Sequence, residues 1–304
     1  MKKYIRNIIF FFIAIAVVDL LFGMACQYLN DHSKGGGIRS RYYVCKESNE
    51  EVLIFGSSRA KHHYVPDIIE DSLKMTCYNT GEDGNGIILC YGFLKMITQR
   101  YSPKLILYDV SRFDIYEDDN MKYLDLIKPY YRELGIDSIF WRVSPKTRYM
   151  MLSEMFRYNT TCLRVLGNYL HPISNTHKGY SPMKGVMDYE PEVNDRKQGI
   201  IDETKMFYFE QFLQLAQEKD VKVICLGSPY YGIDATDGFY KSVINLCEQY
   251  NVPFLDYTDE PNTKEKVFFN DRTHLNYEGS HIYSSIVAEK IKGFTSVQLN
   301  SSGR

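Results

Sequence analysis

The stretch that most constrains this chain is Glu51–Ala60, which reads EVLIFGSSRA. Its apolar part, Val52–Phe55, is short and unbroken, as is typical of a strand buried on both faces of a parallel sheet. Gly56 lets the backbone turn sharply where this strand ends, and Ser57 and Ser58 fall in the turn. Ligands bind at the carboxyl ends of strands in open α/β sheets, so a serine here could be a nucleophile if a base reaches it. A plain strand-to-helix turn with a serine N-cap is the alternative.

A second informative stretch, Phe268–Gly279, lies near the other end of the chain and reads FFNDRTHLNYEG. Asp271 and His274 are three residues apart on what should be one short loop. That spacing lets the carboxylate hold one ring nitrogen while the other points outward, which is the arrangement of orienting acid and base in a serine hydrolase. A capping aspartate beside a surface histidine would be the simpler explanation of this string alone. The two strings together are far more specific than either one.

The chain between these strings alternates short apolar runs with amphipathic helical patterns, which predicts a parallel sheet covered on both sides. We therefore expect an α/β fold, a three-layer sandwich around a five-stranded parallel sheet. The predicted strands are Val52–Phe55, Met75–Thr80, Lys104–Val110, Val221–Leu226 and Val252–Asp256.

The serine and histidine motifs resemble those of the SGNH (GDSL-type) hydrolase family, over roughly residues 52–294. The turn at Ser58 matches that family's Gly-Asp-Ser motif as Gly-Ser-Ser, and Asp271 to His274 matches its Asp-x-x-His motif. The resemblance implies a catalytic triad in which Ser58 is the nucleophile, His274 the base and Asp271 the orienting acid. The backbone N–H groups of Ser58 and Gly81 would then hold the oxyanion.

The chain departs from the family after the third predicted strand, where it reads LILYDVS and lacks the family's asparagine. Asn85, on a glycine-rich loop, and Ser111, after the strand, are the candidates to replace that oxyanion donor. Loss of one such donor costs a serine protease roughly a hundred- to a thousandfold in rate. A non-catalytic binding protein of the same fold therefore stays open as an alternative.

Several residues beside these motifs are candidates for substrate binding. Arg59 follows the nucleophile and would either bind an anionic group or pair with a helix carboxylate. Ser228 and Tyr230 follow the fourth predicted strand at the same carboxyl edge. His62 and His63 are assigned to the turn or the surface, because no further ligand group lies at a familiar metal-site spacing. We expect no metal and no cofactor, since zinc and phosphate-loop motifs do not occur.

The N-terminal stretch Asn7–Ala25 follows three basic residues and is apolar except for Asn7 and Asp19. It is long enough to span a bilayer, which takes about 20 apolar residues, and longer than a usual signal-peptide core. We expect an uncleaved anchor at residues 1–29. The leading basic residues favour a cytoplasmic N-terminus, but Lys34, Arg39, Arg41 and Lys46 follow the stretch on its other side. The resemblance implies a main domain outside the cytoplasm, where that family often works. Asp19 is costly in a membrane, so we expect it to mark the outer boundary; contact with a partner membrane protein is the alternative.

The rest of the chain divides by composition. Residues 30–50 are polar and contain three consecutive glycines, which predicts a flexible linker. The main domain should cover residues 51–296, followed by a loose tail at 297–304. Within it, the strand–helix alternation breaks at about 111–202.

That break predicts a largely helical insertion after the third strand, because an unstructured loop of that length is uncommon in a compact domain. The candidate helices are Met121–Leu134 and Pro145–Leu166, with an extended loop through residues 178–194. The insertion would cover the carboxyl edge of the sheet and set substrate choice. A peripheral partner-binding module is the alternative.

A net charge of −2 gives no reason to expect nucleic acid as a partner. The 26 tyrosines suit stacking on sugar rings as well as cores and interfaces. We expect an ester hydrolase that acts on a small-molecule or carbohydrate ester, for instance an acetyl ester of a surface carbohydrate or lipid. The alternative is an O-acyltransferase that passes an acyl group from Ser58 to a polysaccharide, as membrane-anchored relatives in alginate acetylation and teichoic-acid alanylation imply.

Overall fold

The computed structural model describes residues 1–190, 199–232 and 238–299. The end of the predicted tail (300–304) and part of the predicted extended loop (191–194) lie outside these residues. In chain order the helices are α1 Lys2–Asp31, α2 Gly36–Tyr42, α3 Ser58–His63, α4 Pro66–Leu73, α5 Ile87–Ile97, α6 Ile136–Val143, α7 Thr147–Met150, α8 Glu154–Tyr158, α9 Cys162–Leu170, α10 Glu203–Glu218, α11 Lys241–Gln249 and α12 Tyr277–Leu299.

Contacts within the chain separate it into two compact units. The anchor unit comprises Met1–Glu47 and Asp119–Asn175. The sheet unit comprises Ser48–Asp118 and the chain from Thr176 onward. Of the predicted insertion at 111–202, only the central part therefore belongs to the anchor unit.

The sheet unit is built on five parallel strands in the order β2-β1-β3-β4-β5, which confirms the predicted α/β fold. The strands are β1 Val52–Gly56, β2 Cys77–Asn79, β3 Leu105–Asp109, β4 Lys222–Gly227 and β5 Phe254–Asp256. Ile54 of β1 lies between Asn79 and Leu107 of its two neighbours. All residues of β1 and β3 are buried, which explains their unbroken apolar runs.

Helices cover both faces of this sheet, so the predicted three-layer sandwich is confirmed. On one face, Val52 and Ile54 share a core with Tyr283 and Val287 of α12. On the other face, the Phe55 ring lies edge-on to Phe212 of α10, with ring centroids 5.4 Å apart. Successive β1 side chains point to opposite faces, so each layer receives alternate residues of the strand.

The anchor unit begins with α1, a single helix that is long and apolar enough to cross a membrane. The helix continues to Asp31, and α2 and a π-helical turn at Tyr43–Glu47 follow it. Ile38 and Val44 are buried within these segments. The predicted flexible linker at 30–50 is therefore wrong.

The glycines of this segment serve close packing instead of flexibility. A Cβ at Gly36, which has a φ of +66°, would lie 2.5 Å from Asn168 Oδ1 of α9. The amide N–H of Ile38 donates to the same Asn168 oxygen over 3.2 Å. Three glycines in a row look alike in sequence whether they are free or packed, so the contact with α9 could not be read from composition.

The two long helices predicted for the insertion are also wrong. The first region holds short 3₁₀ turns at Asn120–Leu124 and Lys128–Tyr130, and the second is divided among α7, α8 and α9. Local capping explains one of the breaks: Ser153 starts α8 by accepting a hydrogen bond from the N–H of Phe156. Serine side chains compete for backbone N–H groups in this way and favour helix starts over helix interiors.

Candidate active site

Ser58 is the first residue of α3, immediately after the turn that ends β1. Gly56 makes this turn possible, because its φ is +139° and a Cβ there would lie 2.6 Å from the carbonyl oxygen of Asp109. The hydroxyl of Ser58 lies 2.7 Å from Nε2 of His274. The predicted strand end thus delivers this serine to the predicted histidine, 216 residues further along the chain.

His274 is held by Asp271 on its other side, with Nδ1 2.8 Å and 3.0 Å from the two carboxylate oxygens. Since the carboxylate accepts hydrogen bonds only, the proton of the neutral imidazole lies on Nδ1, and Nε2 accepts from the Ser58 hydroxyl. The backbone N–H and the hydroxyl of Thr273 both donate to Asp271 over 2.8 Å. Burial raises the pKa of Asp271, but hydrogen bonds from His274 and Thr273 outweigh it and lower that pKa to about 2.

His63 lies behind this loop and is fully buried, so its assignment to the turn or the surface is wrong. Its Nε2 accepts a hydrogen bond from the N–H of Leu275 over 3.0 Å, next to His274. Burial, together with the nearby charges of His274 and Arg59, lowers its pKa well below the ordinary value. A neutral His63 therefore anchors the histidine loop to α3.

His62 lies beside His274, with ring centroids 5.5 Å apart and the rings edge to face. Its Nε2 is 3.0 Å from Asp83 Oδ1, and its Nδ1 is 2.6 Å from the carbonyl oxygen of Ser181. Lys61 contacts the other oxygen of Asp83 over 2.7 Å. Burial raises the pKa of Asp83, but the bonds from His62 and Lys61 outweigh it and hold the pKa well below the ordinary value. This second Asp–His pair was missed because its members are 21 residues apart.

The expected oxyanion donors differ in whether they already donate a hydrogen bond within the protein. The N–H of Ser58 is at the first position of α3, where a helix offers no acceptor of its own. The N–H of Gly81 donates to Asn79 Oδ1 over 3.0 Å. Asn85 donates its amide to the carbonyl of Asp83, and Ser111 donates its hydroxyl to a carboxylate three residues on. Among the described residues, neither Asn85 nor Ser111 forms a hydrogen bond with Ser58 or His274.

Arg59 was expected either to bind an anionic group or to pair with a helix carboxylate. It is turned into the protein and only 5% exposed, and its carboxylate partner lies on a strand. Its guanidinium donates to the carbonyls of Val110 and Ser228 and lies 3.6 Å from the Asp109 carboxylate. The hydroxyl of Tyr240 lies 3.3 Å from the same group. Leaving one partner of a buried ion pair alone costs roughly 3–5 kcal/mol, so this arginine is a structural residue.

Asp109 ends β3, just before the position where the family's asparagine was sought. It accepts hydrogen bonds from the hydroxyl of Tyr64 and the N–H of Ser228, each over 3.1 Å. Burial raises its pKa, and the Arg59 charge opposes that shift. The strand therefore ends in a buried network that fixes the backbone beneath the serine turn.

Ser228 and Tyr230 lie at the carboxyl edge, as predicted. Ser228 is fully buried, and its N–H is used by Asp109. Tyr230 is half-buried, and the Arg272 guanidinium lies over its ring, 5.7 Å from the centroid. Of the two, Tyr230 is the one beside the histidine loop with surface to offer a ligand.

The described residues contain no group of three or more His, Cys, Asp or Glu side chains that could hold a metal ion. No protein-family model matches this chain, and no curated protein matches its sequence.

Solved structures resemble the chain at low identity. A protein of Desulfitobacterium hafniense DCB-2, provisionally assigned to the lipolytic G-D-S-L family, has a TM-score of 0.41 and 9% identity, covering 79% of this chain and 98% of that one. A Bacteroides fragilis NCTC 9343 protein, provisionally named an acylhydrolase, has a TM-score of 0.39 and 13% identity, covering 82% and 89%. A Streptococcus pneumonia protein, provisionally named a platelet activating factor, has a TM-score of 0.38 and 12% identity, covering 91% and 98%.

Proposed function

We propose that the sheet unit is a serine-dependent ester hydrolase in which Ser58, His274 and Asp271 form the catalytic triad. The observation that carries this proposal is the unbroken chain of hydrogen bonds from the Ser58 hydroxyl through His274 to Asp271. A nucleophile, a base and an orienting acid within hydrogen-bond reach are the geometric requirement for this chemistry.

In the first step, Ser58 Oγ attacks the carbonyl carbon of the ester while His274 Nε2 takes the hydroxyl proton. The carbon–oxygen bond to the alcohol then breaks, and the alcohol leaves with the proton from His274. Water attacks the acyl-serine by the same route and releases the carboxylic acid. Asp271 stays ionised throughout and stabilises the imidazolium, which its low pKa supports.

The developing oxyanion would be held by the N–H of Ser58, with a second donor at Gly81. In this structure Gly81 is engaged by Asn79, so its N–H has to exchange that oxygen for the oxyanion when substrate binds. Preorganised donors at this position usually supply the largest single share of catalysis. A weak second donor would give a slow enzyme with an intact nucleophile.

We further propose that the substrate is an acyl ester, with acetyl first, of a cell-surface carbohydrate or lipid, and that α1 anchors the chain with the sheet unit outside the cytoplasm. The basic residues that precede the apolar stretch support this orientation. Protease added to cells with a permeable outer layer should digest the sheet unit. Full protection of the sheet unit from the protease would mean that it lies on the cytoplasmic side.

The triad is tested by labelling the full chain with a fluorophosphonate and by assaying Ser58→Ala and His274→Ala with a nitrophenyl acetate. Each variant should lose roughly 10⁵- to 10⁶-fold in kcat, since triad members act as a unit. Label should map to Ser58 and disappear in His274→Ala. Ser57→Ala is the matched control, because this buried neighbour makes no capping hydrogen bond with its side chain.

Unchanged turnover in either triad variant would exclude this mechanism. If the triad is active, product analysis with an acetylated sugar and a second sugar separates hydrolysis from transfer. Free acetate indicates that water attacks the acyl-serine, whereas acetyl on the second sugar indicates the O-acyltransferase alternative.

A further inference from the structure

Asp19, the one carboxylate inside the apolar stretch of α1, is fully engaged within the anchor unit. One of its oxygens accepts from the Ser153 hydroxyl and from the N–H of Met155, and the other accepts from the N–H of Glu154, each over 2.8 Å. These donors form the first turn of α8. The membrane cost of a lone carboxylate is therefore offset by a helix start that belongs to the same chain.

Helix α8 continues along α1 from this point. A Cβ on Gly23 would lie 2.5 Å from the Glu154 side chain, so only glycine permits this approach. One turn further along α1, Gln27 accepts a hydrogen bond from the Tyr158 hydroxyl over 2.6 Å. Cleavage after the apolar stretch would remove Asp19 and Gly23 from these contacts, which supports a retained α1.

The segment at residues 149–155, which includes these donors, exposes large apolar side chains near Asp19. The exposed fractions are 73% for Tyr149, 42% for Met150, 77% for Leu152 and 45% for Met155. Exposed clusters of this kind usually mark a site that another apolar surface covers. We call residues 149–155 the wedge.

The depth of Asp19 identifies that surface. From Asn7, where the apolar stretch begins, to Asp19 the helix rises about 18 Å, whereas the hydrocarbon core of a bilayer is about 30 Å thick. Asp19 therefore lies inside the outer half of the span, and so do the residues that bond to it. Leu20, next to Asp19 on α1, is 49% exposed, and Met24, further along the helix, is 61% exposed, so α1 also presents apolar side chains near this depth.

Charges next to the wedge fit a lipid headgroup region. Arg142, Lys146 and Arg148 precede the wedge and are exposed. Arg148 lies over the ring of Trp141, 4.5 Å from its centroid. Tryptophan and basic side chains are enriched where protein meets lipid headgroups.

We propose that the wedge is embedded in the outer leaflet of the bilayer beside α1, so that the chain is held by a transmembrane helix and by an in-plane contact with lipid. This inference rests on α1 being the membrane anchor and extends it. The in-plane contact resists tilting of the anchor unit, because a unit held only by one helix can tilt about it, whereas a second contact with lipid beside the helix opposes that tilt.

Depth-dependent fluorescence quenching tests the proposal, because Trp141 is the only tryptophan of the chain. In a Trp141→Phe background, full-length chain carrying Leu152→Trp is reconstituted into phosphatidylcholine vesicles with plain or brominated acyl chains. Phe12→Trp, in the first half of α1 and inside its apolar stretch, reports on the anchor itself. Ile173→Trp is the matched control: Ile173 is 68% exposed in the same unit but follows Pro172, which packs against Gly35 beyond the end of α1.

Brominated lipid should quench Leu152→Trp severalfold more than Ile173→Trp and nearly as strongly as Phe12→Trp, while aqueous iodide should quench in the reverse order. Quenching of Phe12→Trp but not of Leu152→Trp would overturn the wedge and keep the anchor. No lipid quenching of Phe12→Trp would overturn the anchor and the wedge with it. Shielding of Leu152→Trp from both quenchers would mean that protein covers the wedge, which also overturns the proposal.

Discussion

Two aspartate–histidine pairs lie side by side in the sheet unit, and only one of them has a hydroxyl at its second ring nitrogen, as the proposed base requires. In the first pair, His274 has Asp271 on one nitrogen and the Ser58 hydroxyl on the other. In the second pair, His62 has Asp83 on one nitrogen and the carbonyl oxygen of Ser181 on the other. The two rings are 5.5 Å apart.

The difference lies in what the second nitrogen meets. A hydroxyl can donate its proton to a ring nitrogen, whereas a carbonyl oxygen can only accept. Each nitrogen of His62 faces an acceptor, so neither one is directed at a hydroxyl from which it could take a proton. Proximity to the nucleophile and an orienting carboxylate are therefore not sufficient for a base; the remaining nitrogen must face a donor.

The test with the largest expected effect removes the carboxylate of the first pair. Asp271→Asn should lower kcat for a nitrophenyl ester by about 10⁴-fold, because an amide can donate to Nδ1 and favour the wrong tautomer. Steady-state rates at saturating ester measure the effect. Retained fluorophosphonate labelling at a much slower rate would show that the fold and Ser58 are intact.

If Asp271→Asn keeps activity within a factor of a few, the orienting role assigned to Asp271 is wrong, and Asp83 would need to be considered in its place. The double variant with Asp83→Asn separates these cases. A further collapse of rate in the double variant alone would show that the second pair replaces the first.

The second test removes the ring of the second pair. His62→Gln should lower kcat/KM by at most about tenfold, equivalent to about 1.4 kcal/mol, since His62 supports the site but accepts no proton from Ser58. Asp83→Asn is the matched control and should have a smaller effect of the same sign. A loss in His62→Gln as large as that in Asp271→Asn would break the distinction between the two pairs.

The third test has the smallest expected effect. It compares how the stability that Asp271 and Asp83 contribute depends on pH. Because folding lowers the pKa of Asp271 from 3.8 to about 2, the stability it contributes is full above pH 4 and is lost as the pH falls towards 2. Its side chain is 35% exposed, so solvent screening reduces this contribution to about 1 kcal/mol. The difference in unfolding free energy between the wild type and Asp271→Asn should narrow over this range.

Urea titrations followed by circular dichroism at several pH values measure this difference. Asp83 provides the control, because its side chain is 56% exposed and its contribution should be weaker. A difference for Asp271→Asn that stays constant from pH 6 to pH 2 would mean that its carboxylate has an ordinary pKa.

Sequence reasoning succeeded where the signal is local. The apolar runs of β1 and β3 predicted buried parallel strands, because a strand covered on both faces needs apolar residues at every position. Asp202 and Asn276 directly precede α10 and α12, and both accept backbone hydrogen bonds at the first turns of these helices. Caps bond to residues two or three positions away, so composition at that spacing is sufficient evidence.

Sequence reasoning failed where the same residue type can take either of two opposite structural roles. The glycines at 35–37 suggested flexibility, yet Gly36 makes room for Asn168. Arg59 was expected at an anionic group or a helix carboxylate and His63 at the turn or the surface, yet both are buried against groups far along the chain. In each case the deciding atoms lie outside the local sequence, and no local pattern encodes them.

The sequence by itself determined the five apolar runs that form the strands, the serine turn after β1, the Asp-x-x-His loop and an apolar N-terminal helix. Only the tertiary structure decided how His62 and His63 are engaged beside that loop and what satisfies Asp19. The physical reason is that burial and secondary structure follow from residue spacing along a strand or helix. A hydrogen-bond partner, by contrast, is chosen by whichever donor or acceptor the fold carries to within about 3 Å.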